Sequence, residues 1–155
     1  MNLSEIIEPR AVLSRLKAQN KKQLLQELSQ SFSALVGIDQ RQIFEVLNTR
    51  EKLGSTGLGQ GIAIPHGRMA GIKRVHGLFA RLATPVPFES IDGDPVDLVF
   101  ALLAPTHAGA DHLTALARIS RLLREPLKVA KLRGTDSAEG LYAVLTEAPA
   151  AASAA

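Results

Sequence analysis

The sequence contains no cysteine and no tryptophan, and only 4% of its 155 residues are aromatic. The absence of cysteine excludes disulfide bonds, thiolate zinc sites and a cysteine nucleophile. Because aromatic rings are scarce, the core must be built from Leu, Val, Ile and Ala. No apolar run approaches the roughly 20 residues that a membrane-spanning helix needs. The first residues, MNLSEIIEPR, lack the basic and apolar segments of a signal peptide, so we expect a cytoplasmic protein without membrane insertion.

The length and the hydrophobic content of 46% are those of one ordinary globular domain. We find no internal repeat and no linker, and predict one domain over residues 1–147. The Ala-rich tail, residues 148–155, is predicted to be disordered. Apolar segments typical of strands and of helices are interspersed along the chain, which favours an α/β fold.

The net charge of +3 is mild, but its distribution is uneven. Residues 118–133 contain six basic residues and one acidic residue. This segment is either a solvated helix face or a docking surface for an acidic protein. Because it has no interleaved aromatic residues and matches no known binding motif, nucleic-acid binding is not predicted.

Capping residues and glycines predict the helices. The first helix begins after Asn20 and ends at Gly37, and the second begins after Asp39 and ends at Gly54. A third is expected from Asp111 to about Arg124. Two shorter ones follow, the first starting at Pro126 and the second at a capping box over residues 136–139 and ending near Leu145.

Three strands are predicted. The first covers residues 62–64 and is ended by Pro65, and the second covers residues 75–82. Residues 83–94, rich in Pro and Gly, are predicted to be mostly loop. The third strand, residues 96–104, is almost wholly apolar, which is typical of a central strand covered on both faces.

The most informative segment is GSTGLGQGIAIPHG, residues 54–67. Pro65 stiffens the chain before His66 and Gly67 permits a sharp turn after it, so the imidazole is expected at the end of a strand. The upstream glycines allow backbone N–H groups to converge on an anion, and Ser55 and Thr56 add hydroxyl donors. The spacing fits neither a P-loop nor a dinucleotide-binding loop. A simple phosphoryl group fits this segment, although a glycine-rich turn with an incidental histidine fits it too.

Two further residues are candidates for the same site. His112 lies on the apolar stripe of the third helix, either as a core histidine or at the sheet edge beside His66. Arg50 precedes the glycines by one helical turn, and its guanidinium can bind two phosphate oxygens. His76 and His107 are given no role. His107, Asp111 and His112 match no familiar metal site, so neither a metal nor a cofactor is predicted.

The segment TREKLGSTGLGQGIAIPHGR, residues 49–68, resembles the enzyme IIA domains of the bacterial phosphoenolpyruvate-dependent phosphotransferase system, mannitol/fructose class. IDGDPVDLVFALLAP at 91–105 and DHL at 111–113 extend the resemblance, which covers about residues 3–145 and is strongest to the nitrogen-regulatory branch.

The resemblance implies a mixed β-sheet flanked by helices and a phosphotransferase activity without metal. It assigns the phosphorylated nucleophile to His66, an assisting role to His112 and phosphoryl stabilisation to Arg50. It also implies a phosphohistidine carrier protein as donor. From residue chemistry we add Ser55, Thr56 and Gly67 as phosphoryl-binding residues, and expect neutral imidazole to attack phosphorus in line.

Two functions are compatible with this chemistry. A phosphorylation-dependent regulator of partner proteins is favoured, because the chain stands alone and resembles the nitrogen-regulatory branch most. The alternative is a sugar-transport component that passes phosphate to a separate cysteine-bearing protein, since this chain contains no cysteine.

Overall fold

A computed structural model describes residues 2–147, so the tail predicted to be disordered lies outside the described residues. The strands are β1 (Val12–Leu16), β2 (Gly57–Gly59), β3 (Ile62–Ala63), β4 (His66–Met69), β5 (His76–Val86) and β6 (Val96–Pro105). The helices are α1 (Lys21–Val36), α2 (Gln40–Lys52), α3 (Ala110–Leu122), α4 (Pro126–Gly134) and α5 (Ala138–Thr146), and two short 3-10 helices, Leu3–Glu5 and Pro9–Ala11, precede β1. The α/β prediction is confirmed.

The six strands of the described region form one mixed sheet around β6. The order is β1-β5-β6-β3-β2, and β4 also pairs with β6. β5 is antiparallel to β6, whereas β3 and β4 are parallel to it. All residues of β6 except Asp97 are buried. Because side chains alternate between the faces of a strand, both faces of the sheet are covered at β6, as its apolar sequence predicts.

β3 and β4 lie one after the other along the same edge of β6. Ile62 is paired with Leu98, and His66 is paired with Leu102. The chain leaves the ladder between them at Ile64 and Pro65, although the Pro65 carbonyl still accepts a hydrogen bond from the Leu102 N–H. This interruption places His66 at the first position of β4, beside the carboxyl-terminal half of β6.

The helices pack on the sheet, with α1 on β5, α2 on β4, α3 on β6 and α5 on β1. Asn20 caps α1 by accepting a hydrogen bond from the Gln23 N–H, and Gly37 ends α1 with a left-handed conformation (φ 72°), as predicted. α3 is preceded by Gly109 rather than Asp111, which lies within its first turn. α5 is capped by Ser137, which accepts a hydrogen bond from the Gly140 N–H; the predicted capping box between residues 136 and 139 is therefore displaced by one residue.

Several strand predictions were incomplete. β1, β2 and β4 were not predicted, because each is short: β1 and β4 are held by pairing with strands distant in sequence, and β2 has only three residues and pairs with the neighbouring β3. β5 continues to Val86, so the segment 83–94 begins as strand rather than loop. His66 follows β3 as expected but also opens β4, and Gly67 lies within β4 rather than turning the chain away. Within residues 2–147, no helix combines the length and apolarity required to span a membrane.

Candidate functional site

An open cavity of about 550 Å³ brings together four of the residues singled out from the sequence. His66 and Gly67 enter it from β4, His112 from the first turn of α3 and Arg50 from the last turn of α2. The full lining consists of Glu45, Val46, Thr49, Arg50, Leu53, His66, Gly67, Arg68 and His112.

His66 is half-buried, and its ring is held by the backbone just before it. Nδ1 lies 2.8 Å from the carbonyl oxygen of Ile64. A carbonyl oxygen can only accept, so Nδ1 carries the proton and Nε2 keeps its lone pair. Burial lowers the pKa of His66, and the positive charge of Arg50 adds to the effect, while the bond to Ile64 and the charge of Glu51 oppose it. The result is a neutral imidazole with a nucleophilic Nε2.

His112 is buried, with 5% of its surface exposed, and its ring centroid lies 5.5 Å from that of His66. The two ring planes are inclined at 71°. Nδ1 of His112 accepts a hydrogen bond from Nε of Arg68 at 2.8 Å. Because a guanidinium can only donate, the proton of the neutral ring is on Nε2. That Nε2 is buried and has no hydrogen-bond partner among the described residues.

The charge state of His112 follows from its surroundings. Burial lowers its pKa from 6.5 to about 4, with further contributions from His66 and from the Arg68 guanidinium. The neutral ring therefore offers one N–H group at Nε2 to an acceptor, and it has no lone pair at that atom to repel one.

Arg50 places a permanent positive charge on the cavity wall. Its Nη1 donates to the carbonyl oxygen of Gly54 at 2.9 Å, which uses one of the five N–H groups of the guanidinium. Gly67 forms part of the wall because it lacks a side chain. A Cβ atom at Gly67 would overlap Cγ1 of Val46, so glycine lets α2, with Arg50, lie close to β4.

Ser55 and Thr56 are not brought to this cavity. The Ser55 hydroxyl donates to the carbonyl oxygen of Phe88 at 2.7 Å. The Thr56 hydroxyl donates to the buried carboxylate of Glu51, which also accepts from the Thr56 N–H at 3.1 Å and pairs with Lys21 at 3.0 Å. Both hydroxyl groups therefore anchor the segment after α2 to the body of the protein.

The expected convergence of glycine amides is absent at two of its positions. The Gly54 N–H donates to the carbonyl oxygen of Glu51, and the Gly57 N–H donates to the Ser55 hydroxyl at 3.1 Å. These groups are already paired and are not available to an anion. Gly61 has φ 82°, which disfavours any other residue, and a side chain there would displace the ends of the Asp97 and Arg133 side chains. The glycines here serve tight turns and close packing.

Arg68 lines the cavity although the sequence analysis gave it no role. Its position two residues after His66 places both side chains on the same face of a strand, a signal that becomes readable once residues 66–69 are known to form a strand. His76 opens β5 and His107 follows β6, and neither lines the cavity. In the part of the chain that the structure describes, no group of three His, Asp or Glu side chains is placed to hold a metal ion.

Three of the six bases in the basic segment 118–133 are used within the protein. Lys128 and Lys131 contact Glu147 at 2.7 and 3.4 Å. Arg133 binds Asp97 at 2.9 Å and the carbonyl oxygen of Gln60 at 2.6 Å. This half of the segment is therefore structural, which weakens the interpretation of the whole segment as a docking surface.

Comparison with known proteins gives the same family as the sequence resemblance, over nearly the whole chain. Residues 5–148 match the family model described as phosphoenolpyruvate-dependent sugar phosphotransferase system, EIIA 2. The nitrogen regulatory protein of Bradyrhizobium diazoefficiens is 53% identical over 152 residues, covering 98% of this chain and 99% of that protein. The nitrogen regulatory protein of Escherichia coli is 38% identical over 148 residues, covering 95% of this chain and 91% of that protein.

A solved structure extends the agreement to the fold. The crystal structure of nitrogen regulatory protein IIA-Ntr from Neisseria meningitidis is 39% identical, covers 93% of this chain and 99% of that chain, and has a TM-score of 0.88. The resemblance inferred from residues 49–68 is thereby confirmed. The chain belongs to the EIIA 2 family of the phosphoenolpyruvate-dependent sugar phosphotransferase system.

Proposed function

We propose that this protein is a cytoplasmic phosphocarrier that accepts a phosphoryl group on Nε2 of His66 and acts mainly as a phosphorylation-dependent regulator. Members of the family receive phosphate from phosphocarrier proteins. The observation that carries the proposal is the hydrogen bond from Nδ1 of His66 to Ile64, because it leaves the Nε2 lone pair unprotonated.

In the proposed transfer, the phosphoryl group moves from the imidazole of the donor carrier to His66. The Nε2 lone pair of His66 attacks phosphorus, and the bond between phosphorus and the imidazole of the donor carrier breaks, leaving its electron pair on the donor. Arg50 stabilises the charge on the phosphoryl oxygens, and the Nε2–H group of His112 donates to one of them. The proton of His66 stays on Nδ1 throughout, hydrogen-bonded to the Ile64 carbonyl oxygen. Positioning and charge stabilisation are the protein's whole contribution.

The regulatory role is supported by the relatives. The two nitrogen regulatory proteins match this chain along 99% and 91% of their own lengths. A phosphoryl group on His66 adds about −1.5 to −2 charges to the cavity mouth, enough to alter the binding of a partner. The partner is inferred to be a protein whose affinity differs between the two states. A comparison of proteins captured by the phosphorylated chain and by His66→Ala would identify it.

The alternative, transfer to a cysteine-bearing sugar-transport component, has the family description in its favour. Phosphorylated protein would be incubated with candidate acceptors of that type. We expect slow or no loss of phosphate from His66. Efficient passage to one acceptor would replace the regulatory proposal with the transport one.

The central test is phosphoryl uptake from a phosphorylated donor carrier. Wild type should incorporate one phosphoryl group, His66→Ala none, and His112→Ala should incorporate it more slowly. His76→Ala is the matched control, because His76 is also a half-buried histidine at the start of a strand but lies outside the cavity. Equal labelling of wild type and His66→Ala would refute the assignment.

A further inference from the structure

The hydrogen bond between Arg68 and His112 is given no role in the phosphoryl transfer proposed above. Arg68 lies on β4 two residues after His66, so its side chain leaves the strand on the same face. Its Nε reaches across to Nδ1 of His112 at 2.8 Å, joining β4 to the first turn of α3. This hydrogen bond spans 44 residues of sequence and links the two elements that carry the histidines.

The contact decides which nitrogen of His112 bears the proton. A neutral imidazole has one N–H group and one lone pair, and either ring nitrogen can hold the proton. If it were on Nδ1, that N–H would face the N–H of Arg68, and Nε2 would carry a lone pair instead of a proton. Phosphoryl oxygens would then meet a second acceptor instead of a donor.

The state of Nε2 points to a ligand. It is buried and has no partner among residues 2–147, although a buried N–H group without an acceptor costs about 1–3 kcal/mol. Functional sites commonly retain such a group because a ligand completes it. The His66 ring, 5.5 Å away between centroids, is where an incoming phosphoryl group would be attached.

We propose that Arg68 is a positioning residue, which holds His112 in the tautomer that donates from Nε2 to a phosphoryl oxygen on His66. The proposal rests on the proposed function, since the acceptor is the transferred group. Arg68 acts through His112 rather than on phosphorus. Its role is thus distinct from that of Arg50, which lines the cavity from α2.

Two substitutions separate the hydrogen bond from the charge. In Arg68→Gln, the side-chain amide nitrogen can occupy the position of Nε and still donate, although the charge is gone. In Arg68→Met, a methyl group occupies that position and no donor remains. We expect phosphoryl uptake to be about fivefold to tenfold slower in Arg68→Met, the effect of one ordinary hydrogen bond, and close to wild type in Arg68→Gln.

A double-mutant cycle tests whether Arg68 acts through His112. In a His112→Ala background, Arg68→Met should slow uptake no further, because the residue that Arg68 positions is missing. An equal loss in both backgrounds would mean that Arg68 acts on the phosphoryl group directly, and would overturn the proposal. Failure of Arg68→Gln to exceed Arg68→Met would overturn it as well.

Nitrogen-15 NMR of the His112 ring gives a readout that does not depend on phosphorylation. Wild type and Arg68→Gln should show a protonated Nε2 and an unprotonated Nδ1 near neutral pH, whereas Arg68→Met should show the proton shared between both. A ring that keeps Nε2–H alone in Arg68→Met would refute the positioning role even if uptake is normal. Conversely, the expected spectra without any phosphoryl uptake would sustain the role of Arg68 on the tautomer and refute the proposed function.

Discussion

Nδ1 of His66 lies 2.8 Å from the carbonyl oxygen of Ile64, and the two residues are separated only by Pro65. The oxygen belongs to the interruption between β3 and β4, so its position is set by the pairing of both strands with β6. The nucleophile is therefore oriented by backbone rather than by another side chain. No single side-chain substitution can remove the acceptor.

This contact predicts the site of phosphorylation within the ring. We expect phosphorus on Nε2 alone, because Nδ1 uses its proton to bind Ile64. Scalar coupling between phosphorus-31 and nitrogen-15 in the labelled protein distinguishes the two nitrogens. A phosphoryl group found on Nδ1 would show that the ring turns over before transfer, contrary to the geometry.

The close packing of Gly67 against Val46 predicts that a larger residue at position 67 pushes α2 away from β4. In Gly67→Ala the new methyl group would overlap Cγ1 of Val46, which lies one helical turn before Arg50. Overpacking of this kind costs about 1–3 kcal/mol of unfolding free energy. Displacement of α2 would also move Arg50, so we expect uptake to be about tenfold slower, a loss of about 1.4 kcal/mol of transition-state stabilisation. Urea unfolding and phosphoryl uptake measure the two effects.

The control for Gly67→Ala is a compensating variant. Val46→Ala removes the atom with which the new methyl group would collide, so Gly67→Ala with Val46→Ala should be more stable than the sum of the separate losses implies. Additive losses would indicate that Gly67 is needed for another reason, such as the conformation of β4.

Substitutions that remove the hydroxyl groups of Ser55 and Thr56 should lower stability without slowing phosphoryl uptake. Thr56→Val removes a hydroxyl that donates to the buried carboxylate of Glu51, and we expect it to lower the unfolding free energy by about 1–3 kcal/mol. Ser55→Ala removes the bond to the Phe88 carbonyl and should act in the same direction. Phosphoryl uptake by the folded fraction should stay near the wild-type rate, since neither residue lines the cavity.

Thr56→Ser is the matched control, because it keeps the hydroxyl and should retain most of the stability. A large fall in uptake rate by stable Ser55→Ala would instead support the original expectation that these hydroxyls contact the phosphoryl group.

How much of this fold the sequence predicts depends on whether a segment carries its own signals. α1 has a capping asparagine, an apolar stripe and a terminal glycine, and its limits were predicted within a residue. β6 was equally clear from its unbroken apolar run. β4 has no such signal, because the four residues HGRM form a strand only through pairing with the end of β6.

The candidate site shows the same division. His66, His112 and Arg50 were identified by residue type and by the resemblance, and the structure places them around one cavity. The roles foreseen for Ser55 and Thr56 assumed an open anion-binding loop, but a buried carboxylate and a distant carbonyl take those hydroxyls. Arg68 was missed, because its side chain lies on the same face as His66 only if residues 66–69 form a strand, and the sequence carries no sign of that strand.

The lowered pKa of His112 predicts that the free energy of unfolding falls in mildly acidic solution. Its pKa is lowered from 6.5 to about 4 in the folded protein, chiefly by burial and then by His66 and Arg68. Between these two pH values His112 is protonated in the unfolded chain but not in the folded protein, so the free energy of unfolding decreases as pH falls. The slope reaches about 1.4 kcal/mol per pH unit for one group. Urea unfolding at a series of pH values measures it.

The contribution of His112 has to be separated from those of other groups. The pKa values of His66 and His76 are also lowered by burial, and both histidines destabilise the folded state in the same direction as pH falls below 6.5. The matched variant is His112→Asn, which keeps a polar side chain but cannot titrate. Because the other histidines remain in both proteins, the difference in unfolding free energy between wild type and His112→Asn isolates His112. This difference should grow as pH falls from 6.5 and level off near pH 4. Parallel profiles across that window would mean that His112 takes up its proton equally in both states, so burial would not keep its ring neutral below pH 6.5.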